Sequence, residues 1–184
     1  MNPARKVREN NKIYFDGQRL YCDVLSNTDS SGRTIKFSYC DDLDRVLERI
    51  GEMPIPEYLG RKPDLHDRIA FQTDYANFDS MTTIAPPSAG LHFTNDLIKD
   101  IEKKGVSVAR IRHSIGNGVY GRITVDDIAK HDMFLEEFEI PERAADQINK
   151  AIDRKSKVIA VGCSVVRALE SSVLMTGFVK PGHG

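Results

Sequence analysis

What this sequence lacks narrows its chemistry before any motif is read. No apolar run approaches the roughly 20 residues that a membrane helix requires. The opening stretch MNPARKVRENNK is basic, but no apolar segment follows it, so a secretory signal is not expected. Cysteine is sparse: Cys22, Cys40 and Cys163 form an odd, widely spaced set. That argues against a disulfide scaffold or a zinc knuckle and sets the expectation of a reduced, cytoplasmic protein. Neither sign of charge dominates, with Lys+Arg 26 against Asp+Glu 27 and a net charge of -1. Such balance counts against a general nucleic-acid coat while leaving room for a local basic patch. No H-E-x-x-H or C-x-x-C spacing occurs, so no metal site is expected. Internal repeats and low-complexity tracts are also missing.

What is present suits a globular fold. With 184 residues, 40% hydrophobic and 29% charged, the chain can bury a core in one domain or two small ones. Residues 12–15 and 18–26 flank Asp16-Gly17, a two-residue turn signal, and in residues 33–39 Ile35, Phe37 and Tyr39 alternate with polar neighbours. These read as antiparallel strands. Asp41 is placed to cap a helix carrying Leu43, Val46, Leu47 and Ile50, with Gly51 as its stop. Prolines 54, 56 and 63 then enforce an extended loop, and the main boundary is set there. The expected organisation is residues 1–50 as a strand meander with a short helix, too small to be stable without packing on something else, and residues 51–184 as a second domain.

Beyond the boundary the pattern alternates. Asp64 is placed to cap a short helix reaching residue 73, residues 81–85 read as a brief strand, and Thr94 is placed to cap a helix that Gly105 stops. Residues 106–115 form the next expected strand, and Thr124 with Asp127 suggests a capping box for a helix over 124–130. An acidic strand over 133–140 follows, and Pro141 opens a helix to about residue 155. Residues 157–161 read as a buried strand and 164–174 as a helix. Strands alternating with helices imply βα units around a largely parallel sheet. The final residues, FVKPGHG, form a turn-rich stretch with no closing element, which suggests an incomplete domain.

Several segments can carry chemistry. In residues 85–94, APPSAGLHFT, a rigid loop leads into a helix whose first N–H groups, near Thr94, suit a carboxylate or phosphate. Ser88, Gly90 and His92 lie on that loop, and His92 is positioned for acid or base work. Taken alone, the segment reads first as a plain helix entry in which His92 satisfies a carbonyl. Residues 116–121, GNGVYG, match G-x-G-x-x-G by letter, but the sequence after them opens no helix, which argues against a Rossmann phosphate loop. Gly116 and Gly118 still allow a ligand to approach the backbone. Cys163 lies between a strand and a helix and reads as a buried structural thiol. Arg167 and Glu170, one turn apart, form either a surface ion pair or a guanidinium and a carboxylate aimed into a site. Asp132, Glu136, Glu137 and Glu139 make an acidic edge in which alternation separates Glu137 and Glu139 from Asp132 and Glu136.

Taken in order, these segments resemble the S-adenosylmethionine:tRNA ribosyltransferase-isomerase family of queuosine biosynthesis. Residues 51–58, GEMPIPEY, are similar to the family's G-x-x-P-L-P-P-Y, and residues 67–76, DRIAFQTDYA, to D-x-x-R-Y-Q-T-V-Y-A. Residues 85–94 resemble A-A-P-T-A-G-L-H-F-T, the most specific of the set. Residues 113–120 loosely parallel H-V-G-L-G-T-F. His131, Met133 and Glu136 follow H-x-M-H-x-E, and residues 160–171 follow A-V-G-T-T-x-x-R-T-L-E-S. The departures are Phe134 for the second histidine, Ala70 for an arginine, and Cys163-Ser164 for Thr-Thr. The missing guanidinium at Ala70 removes a positive charge from any contact with tRNA phosphates.

The resemblance implies that the ribosyl group of S-adenosylmethionine is transferred and isomerised onto 7-aminomethyl-7-deazaguanine in tRNA. Epoxyqueuosine is the product, adenine and methionine are released, and no cofactor takes part. It also implies an α/β catalytic domain joined to a small β-barrel, and a family chain nearly twice this length. His92, His113 and His131 are then the candidate proton carriers. Glu136 or Glu170 would stabilise the sulfonium, and Arg167 or the loop before Thr94 would hold the methionine carboxylate. Gln72, Ser88, Gly90, Gly116 and Gly118 complete the expected substrate-binding set. The competing expectation is a non-catalytic relative that keeps only the scaffold or a ligand cleft.

Overall fold

A computed structural model describes residues 6–17, 19–27, 33–40, 42–77, 83–116, 118, 123 and 125–184, the side chain of Glu57 apart. The chain divides into two compact units, Met1–Glu52 and Met53–Gly184.

In the first unit three strands, β1 (Lys12–Asp16), β2 (Leu20–Asn27) and β3 (Arg33–Tyr39), pair antiparallel in the order β1-β2-β3. Gly17, at φ +54°, takes the left-handed turn between β1 and β2 that a side chain resists. The central strand carries the core. Leu20, Cys22 and Val24, on one face of β2, are 0 to 1% exposed, and each such burial stabilises by roughly 1.5–3 kcal/mol. Burial also pushes the Cys22 thiol above its ordinary pKa. The alternating residues of β3 are only partly covered, Ile35 and Tyr39 remaining 37% and 52% exposed. Helix α1 (Leu43–Ile50) is capped by Asp42, whose side chain accepts from the Asp44 N–H at 3.0 Å. Asp41, expected to be the cap, lies outside the described residues. Gly51 ends the helix, its N–H donating to the Leu47 carbonyl at 2.7 Å, and an ion pair between Arg49 and Asp16 ties α1 to the end of β1.

The second unit begins with the proline-rich segment, extended except for one 3-10 turn at Glu57–Leu59. The Asp64 carboxylate accepts from the N–H groups of His66 and Asp67, at 2.8 and 3.1 Å, and starts helix α2 (Asp67–Ala70), which is shorter than expected. Helix α3 (Asn95–Lys103) begins at Thr94. A second sheet of β4 (Arg112–Ser114), β5 (Glu137–Ile140) and β6 (Gly182–His183) is antiparallel throughout, in that order. Helix α4 (Glu142–Asp153), entered through Pro141, lays Ala144, Ala145 and Ile148 against Ile140 and Val179. Ala109, Ile111, Phe138, Ile152 and Leu169 pack around that cluster. The Asn149 side chain fixes the returning chain: its amide donates to the Val179 carbonyl at 2.9 Å and accepts from the Val179 N–H at 2.8 Å. Helix α5 (Cys163–Ser172) contacts β4 and β5.

Helix and strand are thus mixed, but the sheets differ from the expected ones. Among the described residues all strand pairing is antiparallel, and the three strands of the first unit form an open sheet. The strand expected over 106–115 is reduced to Arg112–Ser114, and that over 133–140 to Glu137–Ile140. Residues 157–161 form no strand and find no strand partner among the described residues; residues 83–85 form no strand, and 81 and 82 lie outside the described residues. The helix expected over 124–130 is a 3-10 turn, Ile128–Lys130, which Asp127 caps by accepting from the Ala129 N–H at 3.1 Å, with Thr124 outside the described residues. The final residues do close the sheet: Phe138 and Gly184 exchange two backbone hydrogen bonds at 3.0 and 3.1 Å. The common reason is that a period of two sets which side chains face the core. It does not say which strand lies alongside, and a strand exists only with a neighbour. No helix among the described residues is long and apolar enough to cross a membrane.

Candidate functional site

The site is organised by α5. The chain enters this helix through Gly162 at φ +102°, a conformation that L side chains rarely adopt. A Cβ built there would lie 3.9 Å from that of Ala89, which places the loop of residues 85–94 against the start of α5. Ala168 is fully buried and Leu169 joins the core, so the helix is held on that side. Next to Ala168, Arg167 reaches across to the segment before β5. Its Nη1 donates to Glu136 Oε2 at 2.6 Å and its Nη2 to the Phe134 carbonyl at 2.7 Å. The same Glu136 oxygen lies 3.1 Å from Nε2 of His113, in the middle of β4. Three side chains from three segments therefore meet at one carboxylate oxygen. The His113 and Glu136 side chains are only 8% and 10% exposed and Arg167 33%, so water screens the charges little. Removing Arg167 would leave the Glu136 carboxylate, only 10% exposed, without its charged partner.

Further contacts hold the cluster. Thr83 Oγ1 donates to the His113 carbonyl at 3.1 Å and accepts from the Ile115 N–H at 3.4 Å, while the Ile84 N–H donates to the Ile115 carbonyl at 3.1 Å. These bonds clamp the backbone from the His113 carbonyl to Ile115. Gly118 packs directly on Phe134: a Cβ there would fall 2.7 Å from the Phe134 Cβ, closer than real side chains approach. At Gly116, by contrast, a Cβ would meet nothing within 4 Å.

The other expected residues are placed differently. His92 is exposed and its ring lies 4.5 Å from that of Phe93. Gly90 is buried beneath Tyr75, whose hydroxyl would be 1.7 Å from a Cβ at that position. Thr94 caps α3 by accepting from the Leu97 N–H at 3.1 Å, and Asp74 accepts from the Asn95 N–H at 3.0 Å. Two donors of the expected anion cradle are thus engaged by the chain itself. Gln72 and Ser88 are exposed, His131 is half-buried, and none of His92, His131 or Glu170 hydrogen-bonds to the cluster. Glu170 is exposed and unpaired with Arg167, which overturns the surface-pair alternative. Cys163, read from sequence as buried, is exposed at the first turn of α5. Among the described residues no three His, Cys, Asp or Glu side chains are gathered for a metal. Sequence reasoning missed Thr83, the Phe134 carbonyl, Asp74 and Tyr75. The Phe134 carbonyl is a backbone group and the Thr83 hydroxyl binds backbone groups, contacts that leave no pattern in a sequence; Asp74 and Tyr75 stood unremarked inside a motif read for Gln72.

A family model described as queuosine biosynthesis protein matches residues 1–184. Among curated relatives, an S-adenosylmethionine:tRNA ribosyltransferase-isomerase of Cytophaga hutchinsonii is 40% identical over 187 residues, covering 100% of this chain and 53% of the relative. Proteins of the same name from Chloroherpeton thalassium and Natranaerobius thermophilus are 41% and 36% identical, again over 100% of this chain and 53% and 52% of theirs. The chain spans about half the length of the curated relatives it matches.

Proposed function

Because the chain belongs to the queuosine biosynthesis protein family, we propose that it carries part of the machinery of an S-adenosylmethionine:tRNA ribosyltransferase-isomerase. The reaction moves the ribosyl group of S-adenosylmethionine onto 7-aminomethyl-7-deazaguanine in tRNA and rearranges it to epoxyqueuosine. Adenine and methionine leave, and S-adenosylmethionine is consumed as a substrate without a separate cofactor. The observation that carries this reading is the convergence of His113, Glu136 and Arg167, from three separate family-like motifs, on one carboxylate oxygen.

The chemistry asks for a proton acceptor near a sulfonium, negative charge to stabilise that sulfonium, and a donor for departing adenine. His113 is the buried acceptor and Glu136 the nearby charge. His92 and His131 are assigned to proton delivery, Glu170 to the cationic side of the substrate, and the loop before Thr94 to the methionine carboxylate, since Arg167 is engaged by Glu136 and the Phe134 carbonyl. Gln72, Ser88, Gly116 and Gly118 are assigned to substrate binding, while Gly90, beneath Tyr75, shapes the loop. In the longer family chain, residues 106–111 and 157–161 would join a parallel sheet, and β1 to β3 would belong to a small barrel. A reaction on tRNA also suits the cytoplasm.

Incubation with S-adenosylmethionine and precursor-containing tRNA, followed by chromatography for adenine, is the direct test. Adenine release that falls at least tenfold in His113→Ala supports the reading. Calorimetric heat on titration with S-adenosylmethionine but no adenine would favour a ligand-binding relative, which the half-length match makes the competing reading. Neither heat nor adenine would leave a scaffold alone.

A further inference from the structure

Among the described residues one buried side-chain nitrogen or oxygen has no hydrogen-bond partner: His113 Nδ1. The other ring nitrogen is accounted for, with Nε2 3.1 Å from Glu136 Oε2. An ionised carboxylate only accepts hydrogen bonds, so the hydrogen in that contact belongs to Nε2. In the neutral form of the ring Nδ1 then carries a lone pair sealed from water, and no donor among the described residues faces it. Buried polar atoms are nearly always satisfied, and an exception calls for a missing partner. The aromatic neighbour, Phe138, has its ring centre 6.2 Å away and supplies no polar group.

The proton is held on Nε2 from behind. The Glu136 oxygen that faces His113 also receives Arg167 Nη1 at 2.6 Å, and Arg167 Nη2 is anchored on the Phe134 carbonyl at 2.7 Å. The guanidinium is planar, so its two bonds fix its orientation and, through it, that of the carboxylate. Glu136 cannot turn away from His113 without breaking a charge-assisted bond. Thr83 meanwhile grips the His113 carbonyl and stops β4 from sliding.

We infer that Arg167 is a positioning residue: acting through Glu136, it fixes the His113 proton on Nε2 and presents Nδ1 as the acceptor for an N–H or O–H group of the bound substrate. The inference rests on the functional reading above and deepens it, because it specifies the chemistry required at this position. The ligand brings a donor here, an amine, an amide or a hydroxyl; a carboxylate or phosphate oxygen, which only accepts, does not fit.

The test is read on the 184-residue chain with isotopically labelled histidine. Long-range proton–nitrogen correlation spectra tell a protonated ring nitrogen from a bare one, and the His113 signals are assigned by their loss in His113→Gln. The wild-type ring should show a single form, protonated at Nε2 and bare at Nδ1. Arg167→Gln and Glu136→Gln should each give a mixture of the two forms with the helical circular dichroism retained. Arg167→Lys, which restores a cation beside Glu136, should return the single form. A wild-type ring with its proton on Nδ1 overturns the inference even if every variant fails to fold, and so does a ring unchanged in either glutamine variant. Saturation with S-adenosylmethionine should then displace the Nδ1 resonance. Calorimetric binding with Nδ1 unmoved overturns the acceptor role. Absence of any binding sinks the functional reading instead, while the spectra of the unliganded chain still decide the relay.

Discussion

Asp67 shows how one side chain can tie acid stability to a loop. Both of its oxygens accept from Arg61, at 2.6 Å each, and one also accepts from the Asp64 N–H at 2.8 Å, while the residue is 1% exposed. The Arg61 hydrogen bonds, with help from the backbone, hold the carboxyl at about 2 instead of 3.8. A carboxyl depressed in the folded state contributes stability that is fully present above its unfolded pKa. That contribution is lost as the pH falls from about 3.8 through about 2. Arg61→Ala should lower the melting temperature at neutral pH and flatten its decline between those two values. An unchanged acid limb in thermal melts would show that Asp67 is not the group responsible. Gly90 makes a second single-residue case, since an added Cβ would strike Tyr75. Gly90→Ala should destabilise by about 1–3 kcal/mol, as overpacking does. Tyr75→Ala in the same chain should recover most of that loss, a coupling that a double-mutant cycle measures directly. Neither partner could be named from sequence. The DRIAFQTDYA and APPSAGLHFT segments were both visible, but nothing in their letters says that Tyr75 of one covers Gly90 of the other.

At the scale of elements, what could be read was whatever the chain specifies locally. The turn at Gly17, β3 at Arg33–Tyr39, the stop at Gly51 and the proline entry to α4 all follow from backbone preferences of the residues that form them. Helix α3 begins at Thr94 for the same reason, and its N-terminus illustrates where local rules stop. Thr94 is one cap, readable from sequence; Asp74, from a distant segment, is the other, and is known only from the fold. Thr94→Ala should cost about 1 kcal/mol. Asp74→Ala should cost roughly 0.3–1 kcal/mol, and less in high salt, because its share is partly a charge beside the helix dipole. Denaturant melts at low and high ionic strength separate the two: a salt-independent loss at Asp74 would mean that it acts as a plain hydrogen-bond acceptor. The candidate site obeys the same division. His113, Glu136 and Arg167 were each legible as residues of interest. Their meeting depends on β4 pairing with β5 and on α5 lying over both, which are non-local facts.

For the whole molecule the revealing feature is residues 157–161, between α4 and α5. In composition this is a buried strand, yet Val158 and Ile159 are 44% and 82% exposed, and no backbone N–H of the segment finds a backbone acceptor among the described residues. Val106, at the start of the other reduced strand, is likewise 54% exposed. Apolar, β-branched backbone left without a ladder is unusual, since both its side chains and its peptide groups gain from pairing. Residues 106–111 follow α3 and residues 157–161 follow α4, each a segment that pairing with a neighbouring strand would cover. The curated relatives are about twice as long as this chain, and the parallel sheet proposed above would draw its neighbouring strands from that additional length. Amide hydrogen exchange tests this without any assay of activity. In the 184-residue chain, amides 157–161 should exchange nearly as fast as in a free peptide, while those of Glu142–Asp153 next to them stay protected by the helix and its core. In a full-length relative the corresponding strand should exchange slowly. Slow exchange of 157–161 in the short chain that persists on dilution would mean that the segment is already paired within it, and a parallel sheet would then need no contribution from outside. If the protection fades on dilution, a second copy is acting as the missing neighbour, an edge-to-edge association that exposed strands of this kind invite.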